Sequence, residues 1–175
     1  MSRNFTCPPT VYIVDFEAFK HGAEDYRLKE LCIMDASRPM KQRHYTFMPT
    51  CRWEELSPEQ KRTYSYLTRD LHRLSWNEGT ERFCEECLKI DLRRFVSSNN
   101  IARSVFYVLG QAKVDYLKQL FPDFTFVNYQ AAYGVTLREL PDAPAHVACT
   151  YRNHGKHCAF LKCVRVYLHF VSLYI

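Results

Sequence analysis

The stretch "VYIVDFEAF", residues 11–19, decides the fold. Its β-branched and aromatic residues recur with a period of two, the pattern of a strand. Successive side chains of a strand point to opposite faces, so Asp15 and Glu17 share one face while Val14 and Phe16 share the other. Two carboxylates side by side raise each other's pKa and are costly to bury without a cation. Either that face is solvated, or a divalent metal ion lies on it and removes the cost.

Working outward, "YRLKELCIMD" (26–35) and "RHYTFMP" (43–49) read as two further strands. The intervening "HGAED" and "SRPMKQ" read as turns, which makes an antiparallel meander. "LSPEQKRTYSYLTRDLHRL" (56–74) opens with Ser57 as a cap and Pro58 at the first helical position, a helix start. "TERFCEECLKIDLRRFVSS" (80–98) reads as a second helix with an apolar stripe through Phe83, Cys87, Ile90, Leu92 and Phe95. Cys84 and Cys87 form a Cys-x-x-Cys pair inside it, for which packing is expected. A redox pair needs a strand before it and a helix N-terminus at the first cysteine, and neither is evident in the sequence.

"SVFYVLG" (104–110) is a continuous apolar run ending in glycine, the mark of a buried strand. "QAKVDYLKQLF" (111–121) follows as a helix and "FTFVNY" (124–129) as another buried strand; 130–148 is irregular, and "KHCAFLKCVRVYLHFVSLY" (156–174) is the last helix. The order β-β-β-α-α-β-α-β-α predicts one α/β domain over residues 1–175, a mixed sheet with helices on its faces.

Composition narrows the function classes. At 47% hydrophobic residues a core can form without disulfide staples, so the eight cysteines point to buried thiols or metal ligands in a reducing compartment. The N-terminal residues show no apolar leader and no run is long enough to span a bilayer. An intracellular location, cytoplasmic or nuclear to perinuclear, and no membrane partner are expected. The net charge of +5 is compatible with nucleic acid. Arg62, Arg69 and Arg73 fall near helical spacing, and Arg93, Arg94 and Arg103 lie around the end of the second helix. Lys113, Lys156 and Lys162 could hold phosphates. Tyr64, Tyr66, Trp53 and Trp76 could stack on bases, although core packing is the commoner role.

"CTYRNHGKHC" (149–158) offers Cys149, His154 and Cys158, thiolate and imidazole donors of the kind zinc prefers. Together "VDFEAF", "VLGQAKVDYLKQL" and "HCAFLKC" resemble the three motifs of the Asp-Glu-Asp-Asp 3′–5′ exonucleases with a catalytic histidine. That resemblance implies a ribonuclease H-like fold, with Asp15, Glu17 and Asp115 binding two Mg²⁺ or Mn²⁺ ions and His157 as the base. The pattern breaks at Lys162, which stands where the family has its fourth acid. After Asp142 the chain has no Asp or Glu. A two-metal site needs carboxylates around both ions, so the resemblance points to a degenerate centre.

The chain is also similar to the Maelstrom domain, a ribonuclease H-like domain of germline RNA-silencing (piRNA) proteins that lacks the full exonuclease tetrad. That similarity implies a structural Zn²⁺ on Glu30, Cys149, His154 and Cys158; the Cys-to-His spacing here is longer than the family's, which leaves His157 as an alternative to His154, and Asp142 or His146 as alternatives to Glu30. It implies binding of single-stranded RNA or an RNA-silencing partner, with a weak metal-independent ribonuclease activity as an option. An active Mg²⁺-dependent exonuclease and a protein-interaction scaffold remain as alternatives.

Overall fold

The computed structural model describes residues 8–22, 25–96, 98–149 and 157–174. Three long strands open the chain: β1 (Thr10–His21), β2 (Asp25–Asp35) and β3 (Arg38–Met48). Then come α1 (Pro58–Tyr66), a short β4 (Glu81–Arg82), α2 (Glu85–Val96), β5 (Ser104–Val108), α3 (Gln111–Leu120) and β6 (Thr125–Asn128). A five-residue α4 (Tyr129–Tyr133) and the long α5 (Ala159–Ser172) complete the order. The strands form one mixed six-stranded sheet in the order β4-β3-β2-β1-β5-β6. β1, β2 and β3 pair antiparallel, while β1–β5, β5–β6 and β3–β4 pair parallel. The fold is therefore α/β with a mixed sheet, built from a meander and later alternation.

Strand parity sorts the side chains into two cores. Tyr12, Val14, Phe16, Leu31, Ile33, Tyr45 and Phe47 face Leu88, Leu92, Val114 and Leu117 of α2 and α3. Ile13, Cys32 and Met34 face the other way, against Ala159, Cys163, Val164 and Val166 of α5. At roughly 1.5–3 kcal/mol for each fully buried aliphatic side chain, this apolar contact carries most of the docking of α5. Asp15 and Glu17 belong to the α5 face, so the acidic pair lies under a helix and not in open solvent.

Several element boundaries depart from the sequence expectation. The first helix ends at Tyr66 and gives way to a wide π turn over Leu67–Leu71. β3 begins at Arg38, since "RPMKQ" continues the hairpin instead of ending it. The second helix starts at Glu85, and its buried positions are Leu88, Leu92, Phe95 and Val96. Cys87 is exposed and Ile90 is half exposed, so the expected stripe through them is corrected by a different helix phase. The last helix starts at Ala159, which makes Cys158 its cap.

Candidate metal centre and the ion pairs beside it

Four donors converge where α5 meets the sheet. Glu30 lies on β2, opposite Thr46 of β3, and His44 lies opposite Cys32 in the same register. The period of two puts Glu30 and His44 on the α5 face. Cys158 caps α5 directly above them, and Cys149 comes from the segment before it. One donor atom from each of Glu30, His44, Cys149 and Cys158 lies within 4.8 Å of every other.

The contacts inside the cluster are short and specific. His44 Nε2 is 2.6 Å from Glu30 Oε1, and the Cys158 thiol donates to the same oxygen at 3.2 Å. Glu30 Oε2 accepts the Ala159 backbone N–H at 2.9 Å. The carboxylate thereby satisfies a free amide of the first helical turn and meets the positive end of the helix dipole. Phe160 stacks on the His44 ring with centroids 5.7 Å apart. The hydrogen bond with Cys149, burial and the Glu30 charge all push the Cys158 thiol up.

Two thiols, an imidazole and a carboxylate fit a soft divalent cation. Bonds of about 2.0–2.3 Å in a tetrahedron place ligand atoms about 3.3–3.8 Å apart, inside the separation seen here. Glu30 and Cys158 are fully buried, and the His44 side chain is 15% exposed. A site closed by four protein donors suits a structural ion and leaves no position for substrate. The cluster could hold a metal such as zinc.

Sequence reasoning named three of these four residues. Glu30, Cys149 and Cys158 come together, but His44 was missed, because its place beside Glu30 depends on the β2–β3 register. His154 lies outside the described residues. His157 sits one residue before the cap, half-buried, and is not among the four clustered donors. Neither alternative to Glu30 joins them: Asp142 is exposed beside Arg165, at 3.8 Å, and His146 is exposed.

Next to this cluster, on the same sheet face, lies a four-charge network. Lys113 Nζ donates to Asp15 Oδ1 at 2.7 Å and to Glu17 Oε1 at 3.2 Å, and also to the Phe16 carbonyl. Lys162, from α5, donates to Glu17 and lies 3.6 Å from Asp15 Oδ2. Burial pushes the Asp15 carboxyl up, and the two lysines only partly offset it. Burial acts on Glu17 too, but Lys113 and Lys162 outweigh it and hold that carboxyl low. Burial alone would lower the Lys113 ammonium; Asp15 and Glu17 outweigh it and raise it.

The exonuclease motif residues therefore separate. Asp115, expected to complete the acidic set, is on the solvent side of α3 and accepts from Gln111 Nε2 at 2.8 Å. Lys113, two positions earlier and about 200° around the helix, takes the inward place. Lys113 and Lys162, expected to offer their charges to phosphates, instead spend them on Asp15 and Glu17. Lys156 lies outside the described residues.

The chain matches no protein-family model and no curated protein. What it does rests on its own residues.

Proposed function

We propose that the chain is a ribonuclease H-like domain of exonuclease ancestry, similar to the Maelstrom domain, that works by binding and not by two-metal cleavage. In this reading a structural Zn²⁺ on Glu30, His44, Cys149 and Cys158 ties α5 to the sheet. Single-stranded RNA is the ligand of this reading, and the net charge of +5 is compatible with a phosphate backbone.

One observation carries the reading: the ammonium groups of Lys113 and Lys162 lie on Asp15 and Glu17. In a two-metal nuclease those carboxylates would face divalent ions about 3.5–4 Å apart. Here two built-in cations balance two acids, so the pair attracts a further divalent ion weakly. The turning of Asp115 to solvent supports the same conclusion and speaks against the Mg²⁺-dependent exonuclease. With the lysines committed, RNA contact falls to basic residues elsewhere, such as Arg94 and Arg103.

The test is a pair of assays on the purified chain. Filter binding of labelled single-stranded RNA is expected to show retention that weakens steeply with salt. The same RNA with Mg²⁺ is expected to stay intact. Retention that is absent at low salt would favour a protein partner instead. Degradation that depends on Mg²⁺ and disappears in Asp15→Asn would overturn the reading.

A further inference from the structure

Cys84 and Cys87 stand apart from both clusters, and their setting is the one a redox pair requires. β4 pairs with β3 through Phe47 and Glu81, and Phe83 sets its ring edge-on to Phe47, with centroids 5.3 Å apart. The next residue, Cys84, caps α2: its carbonyl accepts the Leu88 N–H at 3.0 Å. Its sulfur accepts the Cys87 N–H at 3.3 Å. A strand thus runs into a helix whose first turn begins at the first cysteine. Both cysteines are exposed, while Leu88 and Leu92 anchor the helix below them.

We propose that Cys84 and Cys87 form a redox-active dithiol that reduces disulfides carrying neutral or cationic groups, closing a Cys84–Cys87 disulfide in return. Cys84 is the attacking residue. Its sulfur takes hydrogen bonds from the Cys87 thiol and from backbone amides of the first turn, which lowers its pKa, whereas the same contact raises that of Cys87. A thiolate at a helix N-terminus is stabilised in this way, and the thiolate is the form that attacks.

The exchange balances with the disulfide as sole oxidant. The Cys84 thiolate attacks one sulfur of R–S–S–R; that bond breaks, and the first R–S⁻ leaves and takes a proton. Cys87 then gives up its proton and its sulfur attacks Cys84, breaking the mixed bond and releasing the second thiol. Two electrons pass from the dithiol to the substrate. The Cys84 sulfur contacts the Cys87 amide at 3.3 Å, which holds the two residues together on the first turn of α2.

Charge sets the substrate class. A pocket of about 200 Å³ opens beside the pair, lined by apolar Tyr45, Phe47 and Leu88 and by the charged Glu81, Arg82 and Asp91. Glu85 and Glu86 add two carboxylates in the first turn, and Lys89 pairs with both. Four acids against Arg82, Lys89 and Arg43, whose charge reaches Tyr45 in the pocket wall, disfavour an anionic disulfide.

The experiment treats the full natively purified chain with cystamine, stops the reaction by acid and alkylation, and maps the tryptic peptide Phe83–Lys89, which holds both cysteines. The peptide is expected to lose two hydrogens and resist alkylation, ahead of any reaction at Cys51. Cys87→Ser should leave a lasting mixed disulfide on Cys84, and Cys84→Ser should slow capture by about tenfold or more. Both sites are exposed, so unchanged circular dichroism and an unchanged urea midpoint will show that these variants fold. Oxidised glutathione should react more slowly than cystamine at low salt, with the gap closing as salt rises. A wild-type chain that halts at the mixed disulfide, or equal capture by Cys87 in Cys84→Ser, would overturn the proposal. Equal rates for the two disulfides at low salt would overturn the assigned substrate class.

Discussion

Glu30 on β2 lies 2.6 Å from His44 on β3, and its other oxygen accepts the first amide of α5 at 2.9 Å. One buried carboxylate thus joins two strands to the N-terminus of a helix. A cation on Glu30, His44, Cys149 and Cys158 would make that joint rigid. Chelation is therefore expected to speed amide hydrogen exchange over residues 159–163 by at least tenfold while leaving β5 protected. Equal protection with and without chelator would show that the apolar face of α5 suffices.

Thiols must lose their protons to bind a metal. The Cys158 thiol is held protonated by Cys149, by burial and by the Glu30 charge, so binding releases protons. Zinc affinity is expected to fall by about a hundredfold per pH unit of acidification if both thiols deprotonate. Competition with a chromogenic chelator between pH 6 and 8 reads the slope. A flat profile would mean that the thiols are not ligands.

The network around Asp15 makes a different prediction. Removing one partner of a buried ion pair leaves an uncompensated charge, whereas removing both can be nearly neutral. Lys162→Met is expected to cost about 3–5 kcal/mol in urea unfolding, since the Lys162 side chain is 8% exposed and Glu17 13%. Adding Glu17→Gln to Lys162→Met should restore most of the loss. If the double variant is no better than the single one, Lys162 acts through packing.

Asp35 links stability to pH at the far end of the same sheet. Burial raises its carboxyl, but Ser37 and Arg38 outweigh it and hold the pKa low. Its Oδ1 accepts the Ser37 N–H at 3.0 Å and hydroxyl at 2.7 Å, while Oδ2 accepts from Arg38 Nη2 at 3.0 Å. A group whose folded pKa is depressed adds stability above its unfolded pKa, about 3.9 for Asp. That contribution is lost as pH falls through the lower, folded value. Asp35→Asn is thus expected to cost roughly 1.5–3 kcal/mol at pH 7 and much less at the acid end. Urea titrations at both pH values decide it.

The α/β order was legible because β1, β5 and β6 carry strong apolar runs and α3 begins just after a glycine. Phase was harder to read. "TERFCEECLK" has no Ser, Asn or Pro to mark a helix start, so the helix was expected from residue 80 and Cys84 and Cys87 were placed in its interior. The parallel pairing of Phe47 with Glu81 is a tertiary contact, and it fixes the true start at Glu85. Asp115 fitted a motif, but a two-residue step on a helix turns the side chain to the far side, and Lys113 faces inward instead. His44 was hidden for a third reason. Its nearness to Glu30 depends on the β2–β3 register, which the irregularity between Met34 and Asp35 sets.

The most direct measurement is the metal content of the natively purified chain, wild type beside Cys158→Ala and His44→Ala. One zinc per wild-type chain and a clear deficit in both variants is the predicted result. A wild-type chain free of zinc would contradict the proposed centre, and full zinc in His44→Ala would remove His44 from it.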